Sequence, residues 1–296
     1  MSVYGASHKN TLSVISLAGP VESLLIAITP FLSVLMAVSL YFPGGLRAED
    51  ALFIGNSYTY GGPEKVIADH GGVPKLVEAI AISKGKSLTT LQLASGGKAW
   101  WFHLQQSRTE QALSAKNWDW VVLQDFSTEP THVGKPDEFF KSGETFYQRI
   151  RHHSPKAKIV LYETWARPKG SQFYTGISTP KTFVDAAQMN TEIQSNYTKL
   201  YHRLEVLDPG AQMELAPVGL AFERSLAKYP DLKLHGRDLH HANTAGSYLA
   251  ALVIYATIYH DSPKGATREF FGASLDAEVA AKLQAIAVEV ALPPVP

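Results

Sequence analysis

Ser57 stands where a strand-like run ends. The segment Ala51-Leu52-Phe53-Ile54-Gly55-Asn56-Ser57-Tyr58 reads as an apolar strand running straight into a turn. Gly55 lets the chain turn sharply there. A serine presented at the start of the next loop or helix has an exposed Oγ and a free backbone N–H. Those are the parts of a nucleophile that also helps to hold an oxyanion. On this fragment alone, a plain turn or a helix N-cap, which favours Asn and Ser, is the better account. A second group lies far downstream, in Gly236-Arg237-Asp238-Leu239-His240-His241-Ala242-Asn243. Asp238 and His241 are three apart. On a tight turn that spacing can set a carboxylate against Nδ1 of the imidazole and leave Nε2 free to take a proton from a serine. His240 competes for the base role at the less natural spacing of two. Taken alone, the segment also reads as a polar loop with a capping aspartate and solvated histidines.

The elements that must position these groups alternate along the chain. Candidate strands are Ala51–Ile54, Leu88–Leu93, Trp120–Leu123, Lys158–Tyr162 and Met213–Ala216, each followed by a turn and a helix-like stretch. The alternation predicts a three-layer α/β/α fold around a central, mostly parallel five-stranded sheet. Ile193, Tyr197, Leu200, Leu204 and Leu207 form one stripe of a long helix, and Phe139, Phe146 and Ile150 one stripe of a shorter one. Ala245–Tyr259 is apolar all round and predicts a buried helix, with Asn243 or Thr244 as its cap. A last helix is expected over Leu275–Val290. Two longer loops, Ser127–Pro136 and Ala166–Thr182, follow the C-terminal ends of candidate strands, the edge where open parallel sheets bind ligands.

Gly55-Asn56-Ser57 after the first strand, Asp238-x-x-His241 near the C-terminus and the α/β alternation between them resemble the SGNH (GDSL-type) hydrolase superfamily. The resemblance spans about residues 50–260. The first family block has Gly-Asp-Ser, and Asn56 stands here in place of that Asp. The chain lacks Gly-x-Ser-x-Gly at this position, so it does not read as an α/β-hydrolase nucleophile elbow. The resemblance implies a flavodoxin-like sheet and a serine hydrolase with Ser57, Asp238 and His241 as its triad. It also implies an oxyanion hole made by the Ser57 N–H, a glycine N–H and an asparagine side chain. Gly96, in Leu93-Ala94-Ser95-Gly96-Gly97, is the expected glycine, with Gly97 as the alternative. The family asparagine falls on Phe126, which has no donor. Gln124, in the same Trp120–Ser127 segment, is the candidate substitute; otherwise the hole uses another group. Losing one such donor costs about 3–4 kcal/mol of transition-state stabilisation.

Trp100 and Trp165 follow the second and fourth strands and are expected near the same edge, to stack on sugar rings or to line an acyl pocket. One of Trp100 and Trp101 should instead be core, because adjacent helical residues point in different directions. Glu163 and Arg167 are candidate loop ion-pair partners or substrate contacts. The implied substrate is a carboxylic ester, a small molecule or an O-acylated carbohydrate. Two alternatives stay open: an O-acyltransferase, and an inactive glycan-binding module on the same fold. The adjacent pairs His152-His153 and His240-His241 do not have metal-ligand spacing, and no Gly-rich phosphate loop is present. No metal or cofactor is therefore expected.

Residues 1–48 read as a leader. Ser23 to Phe42 is a stretch of 20 residues without a charge, long enough to cross a hydrocarbon core of about 30 Å. Apart from a buried core helix, for which 20 uncharged residues is long, it predicts a signal peptide cut near Ala48, or an uncleaved membrane anchor. Either puts residues 49–296, the hydrolase-like domain, outside the cytoplasm. Across the 296 residues, 45% are hydrophobic and 18% charged, which excludes a disordered or fibrous chain. The 27 Lys and Arg balance 27 Asp and Glu, so no nucleic-acid partner is expected. With no cysteine, the chain has no disulfide, thiolate metal site or cysteine nucleophile.

Overall fold

A computed structural model describes residues 48–176 and 182–292. The leader expectation falls on residues 1–48, of which 1–47 lie outside the described residues. Among the described residues, no helix is long and apolar enough to cross a membrane.

The chain opens with β1 (Glu49–Gly55), then α1 (Ser57–Tyr60), α2 (Lys65–Ala68) and α3 (Gly72–Ser83). Next come β2 (Leu88–Ala94), α4 (Trp100–Leu104), α5 (Ser107–Ser114) and β3 (Trp120–Leu123). The long α6 (Pro136–His153) leads to β4 (Lys158–Tyr162), α7 (Gln172–Thr175), α8 (Ala186–Leu207) and β5 (Met213–Ala216). The C-terminal part holds α9 (Val218–Lys228), α10 (Thr244–Tyr259), the short hairpin β6 (Glu269–Phe270) and β7 (Ala273–Ser274), and α11 (Ala277–Ala291).

Strands β1 to β5 form one sheet in the order β2-β1-β3-β4-β5, every neighbour parallel. This is the expected sheet, with β3, β4 and β5 at the expected bounds. The two-residue side-chain period of a strand sends alternate residues to opposite cores. Ala51, Phe53, Trp120, Val122, Val160 and Tyr162 enter one core, with residues of α3, α9, α10 and α11. Leu52, Ile54, Val121, Leu123, Ile159 and Leu161 enter the other, with residues of α4, α6 and α8. A strand covered on both faces must be apolar at every position, which is why these runs do not alternate in polarity.

Helix α10 is buried through nearly its whole length, as an unbroken apolar surface requires. Of its two expected caps the structure uses Asn243, whose side chain accepts the Gly246 N–H at 2.9 Å. The stripe of α8 is buried as expected at Ile193, Tyr197, Leu200 and Leu204, but Leu207 is exposed at the helix end.

Candidate active site

Ser57 follows the C-terminal end of β1, an interior strand flanked by β2 and β3, on the edge of the sheet where open parallel folds bind ligands. Gly55 is required there for space rather than for φ. A Cβ would land on Thr59 Oγ1 and come within 2.6 Å of Gln124 Oε1. Asn56 caps α1: its side chain accepts the Tyr58 N–H at 3.1 Å and donates to the Lys98 carbonyl at 3.1 Å. Thr59 and Tyr60 N–H both bond the Asn56 carbonyl. Among the described residues, the Ser57 N–H and Oγ have no hydrogen-bond partner, and the residue keeps 7% exposure.

His103, on α4, locks the strand end from the side. Its Nε2 lies 2.9 Å from the Gly55 carbonyl, and burial holds its pKa down at about 4, against the bond to Gly55, which raises it. The ring is therefore neutral with its proton on Nε2, the nitrogen that must donate to the carbonyl.

The loop between α9 and α10 carries the second group. A bridge between His235 and Ala242, with Gly236 N–H bonded to the His241 carbonyl at 2.8 Å, closes it into a tight turn. Leu239 occupies the left-handed region at φ 54°, a strained setting for a leucine. The turn brings Asp238 Oδ2 to 2.7 Å from His241 Nδ1, while Oδ1 accepts the backbone N–H of His240 at 2.9 Å and of His241 at 3.0 Å. Burial pushes the Asp238 carboxyl up, but the His241 ring and the two N–H bonds outweigh it and hold its pKa below the usual 3.8. The carboxylate acceptor puts the His241 proton on Nδ1 and leaves Nε2 as the lone-pair nitrogen. His240, the competing base, receives no side-chain bond from Asp238. Burial, Arg167 and His241 push its pKa down to about 3, and its ring stacks on His241 at 4.2 Å.

Two contacts bring His241 to the turn that carries Ser57. Its ring lies edge-on to Tyr58, the next residue, with centroids 5.7 Å apart. It also packs on Gly62, where a Cβ would be 2.5 Å from His241 Cδ2. The structure thus gathers Asp238, His241 and the Ser57 turn within one edge of the sheet.

Gly96 lies in the exposed turn after β2, beside Gly55 through the Ser95 N–H to Gly55 carbonyl bond of 3.0 Å. Its own N–H has no partner among the described residues.

Three expected site residues take other roles. Gln124 is buried beneath the Ser57 turn, and its amide is engaged there. Its Oε1 accepts the Asn56 N–H at 3.0 Å and the Thr59 hydroxyl at 2.8 Å, and its Nε2 donates to the Asp125 carbonyl. It shapes the turn from below. Trp100 is fully buried, stacked on Phe139 with centroids 5.2 Å apart. Its half-exposed neighbour Trp101 carries Lys135 over its ring at 5.6 Å. Trp165 is also fully buried. It stacks on Tyr58 at 4.0 Å and on Phe222 at 4.4 Å, and its Nε1 donates to the His240 carbonyl. It forms a wall joining the serine turn to the histidine loop, and no substrate reaches its faces. Glu163 and Arg167 do not pair. Glu163 accepts the Leu220 N–H at 3.0 Å at the start of α9, and Arg167 donates to the Tyr58 hydroxyl at 2.7 Å and to Ser127 Oγ at 3.2 Å. Among the described residues, no cluster of three His, Asp or Glu side chains could hold a metal ion.

No family model and no curated protein sequence matches the chain. Solved structures do. A DUF4886 family protein from Bacteroides uniformis is 18% identical, covers 83% of this chain and 96% of its own, with a TM-score of 0.61. A protein described as a GDSL-like lipase, from Parabacteroides merdae, is 15% identical over 71% of this chain and 96% of its own, with a TM-score of 0.53. A mutant of Axe2, an acetyl-xylooligosaccharide esterase from Geobacillus stearmophilus, is 17% identical over 72% and 95%, with a TM-score of 0.51. The chain has the fold of the SGNH (GDSL-type) hydrolases. At these identities the likeness speaks for the fold, and activity has to be argued from the site.

Proposed function

We propose that this chain is a serine hydrolase that cleaves carboxylic esters. Ser57 Oγ attacks the ester carbonyl carbon, and His241 Nε2 takes the hydroxyl proton. The tetrahedral oxyanion rests on the backbone N–H groups of Ser57 and Gly96. Collapse breaks the bond to the alcohol, which leaves with the proton from His241. Water, deprotonated by His241, then attacks the acyl-Ser57 ester and releases the acid. Asp238 holds the imidazole in the tautomer that makes Nε2 the base and balances its positive charge when it is protonated.

The observation that carries this reading is the 2.7 Å bond from His241 Nδ1 to Asp238, on a ring packed against the turn that holds a serine with a free Oγ and a free N–H. Ser57 and His241 are not themselves hydrogen-bonded here; such bonds commonly tighten only when substrate is bound. Esters of carbohydrates are the substrates to examine first. Trp100 and Trp165, which pointed to sugars, are buried, so the half-exposed Trp101, in the first turn of α4, becomes the ring available to a sugar face. The apolar run at residues 23–42 supports export or membrane attachment of this domain.

The test is hydrolysis of p-nitrophenyl acetate, longer p-nitrophenyl esters and acetylated oligosaccharides by the full chain and by Ser57→Ala. Activity lost in the variant supports the reading, and its acyl-length profile names the acid. Activity that survives Ser57→Ala overturns it.

A further inference from the structure

Arg167 is 4% exposed, yet it makes no ion pair among the described residues. Its two recorded hydrogen-bond partners, Tyr58 and Ser127, are hydroxyls, and its guanidinium also lies 5.2 Å from the Phe173 ring and 6.0 Å from the Tyr58 ring, neither of which carries a negative charge. Tyr58 cannot serve as its anion: burial raises the phenol pKa more than Arg167 lowers it, so the hydroxyl stays protonated. A guanidinium has five N–H groups, and two are used, which leaves three. Burying a cation without a counter-ion is expensive, and folded proteins ordinarily supply a partner.

Arg167 lines a cavity of about 660 Å³ between the Asp238 loop and α9. The cavity has two kinds of wall. Phe222, Leu226, Leu232 and Leu239 form an apolar floor. Lys169, Lys233 and Arg237 stand around it with Arg167, against the single acid Glu223. None of these three surface cations has an ion pair among the described residues, and Glu223 is bonded to Gln194. His235 adds no charge, because burial holds its pKa at about 4. A volume of this size suits a small organic ligand.

We infer that this cavity binds an amphipathic organic anion, with its apolar body on Phe222, Leu226 and Leu232 and its carboxylate or phosphate head on Arg167. The planar guanidinium fork matches either head group, and the surface cations draw the anion in. Gly236, Arg237 and Leu239 also line the cavity, so an occupant touches the residues on either side of Asp238. The inference does not depend on the hydrolase reading, because binding is read without turnover.

Calorimetric titration of the full chain with sodium octanoate, octyl phosphate and the neutral octanamide tests it. At least one anion should bind saturably, about tenfold or more tighter than octanamide, as charged hydrogen bonds imply. Comparing the two anions separates a carboxylate site from a phosphate site. Arg167→Gln should erase the preference for the anion. Leu226→Trp, which fills the cavity and leaves Arg167 in place, should abolish binding while a thermal melt shows the chain folded. Absence of saturable binding by either anion, equal binding of octanamide, or anion binding that survives Leu226→Trp would overturn the site.

Discussion

Asp238 holds His241 at two points, accepting the ring Nδ1–H at 2.7 Å on one carboxylate oxygen and the backbone N–H at 3.0 Å on the other. The residue that orients the imidazole therefore also builds the loop that presents it. Asp238→Asn separates the two tasks. The amide oxygen can still accept a bond, but the paired charge is lost and the tautomer can reverse. The expected result is a kcat lower by about 10²–10⁴-fold with KM little changed. Ester hydrolysis as rapid as in the unaltered chain would show that His241 does not depend on this carboxylate.

Gly62 has φ 52° and Gly97 has φ 66°, so alanine is strained at both. Only at Gly62 does the added Cβ meet His241, at 2.5 Å; at Gly97 nothing lies within 4 Å. Both variants should lose about 1–3 kcal/mol of stability to backbone strain. Gly62→Ala should in addition lower kcat about tenfold or more by displacing the ring. Equal kcat in the two variants would place His241 outside the reaction.

Glu163 predicts a pH dependence of stability. Burial pushes its carboxyl pKa up to about 8, from 4.5, against the N–H bonds from Leu220 and Gly219. Between those two values the unfolded chain releases the proton and the native chain retains it, so stability falls as pH rises. The contribution is complete below about 4.5 and lost as the pH passes about 8. Glu163→Gln cannot ionise. Its Tm relative to the unaltered chain should rise steadily across that window, and a constant difference would contradict the buried neutral acid.

The two adjacent tryptophans should part company. Trp100→Ala empties a packed core site and should cost about 3–5 kcal/mol in chemical denaturation. Trp101→Ala, at a half-exposed ring, should cost less than about 1 kcal/mol and raise KM for acetylated oligosaccharides more than for p-nitrophenyl acetate. The reverse pattern would mean that neither ring faces a sugar.

The sheet was legible in the sequence because a strand buried on both faces must be a short, unbroken apolar run, as in β1, β3 and β4, while the edge strands β2 and β5 carry polar residues and show instead by their place in the strand–helix alternation. The Asp238-x-x-His241 turn was legible because both groups lie in one local loop. Trp100 and Trp165 were placed at the right edge but with the wrong orientation. Strand ends locate a residue, whereas Phe139, Tyr58 and Phe222, distant in sequence, decide where each ring packs. Gln124 likewise answers to residues distant in sequence: its amide oxygen accepts from Asn56 and Thr59, some 65 residues away in the chain. The exposed Leu207 shows a helical stripe running on past the point where the helix meets its neighbours. His103 went unnoticed as a clamp on Gly55, since a lone histidine on a short helix carries no signal of its own.

The central claim is that Ser57 is an activated nucleophile. Incubation with a fluorophosphonate, followed by peptide mapping by mass spectrometry, tests it most directly. The account predicts one adduct, on Ser57, absent in Ser57→Ala and slowed in Asp238→Asn. An adduct on another residue, or no adduct on a folded chain, would contradict it.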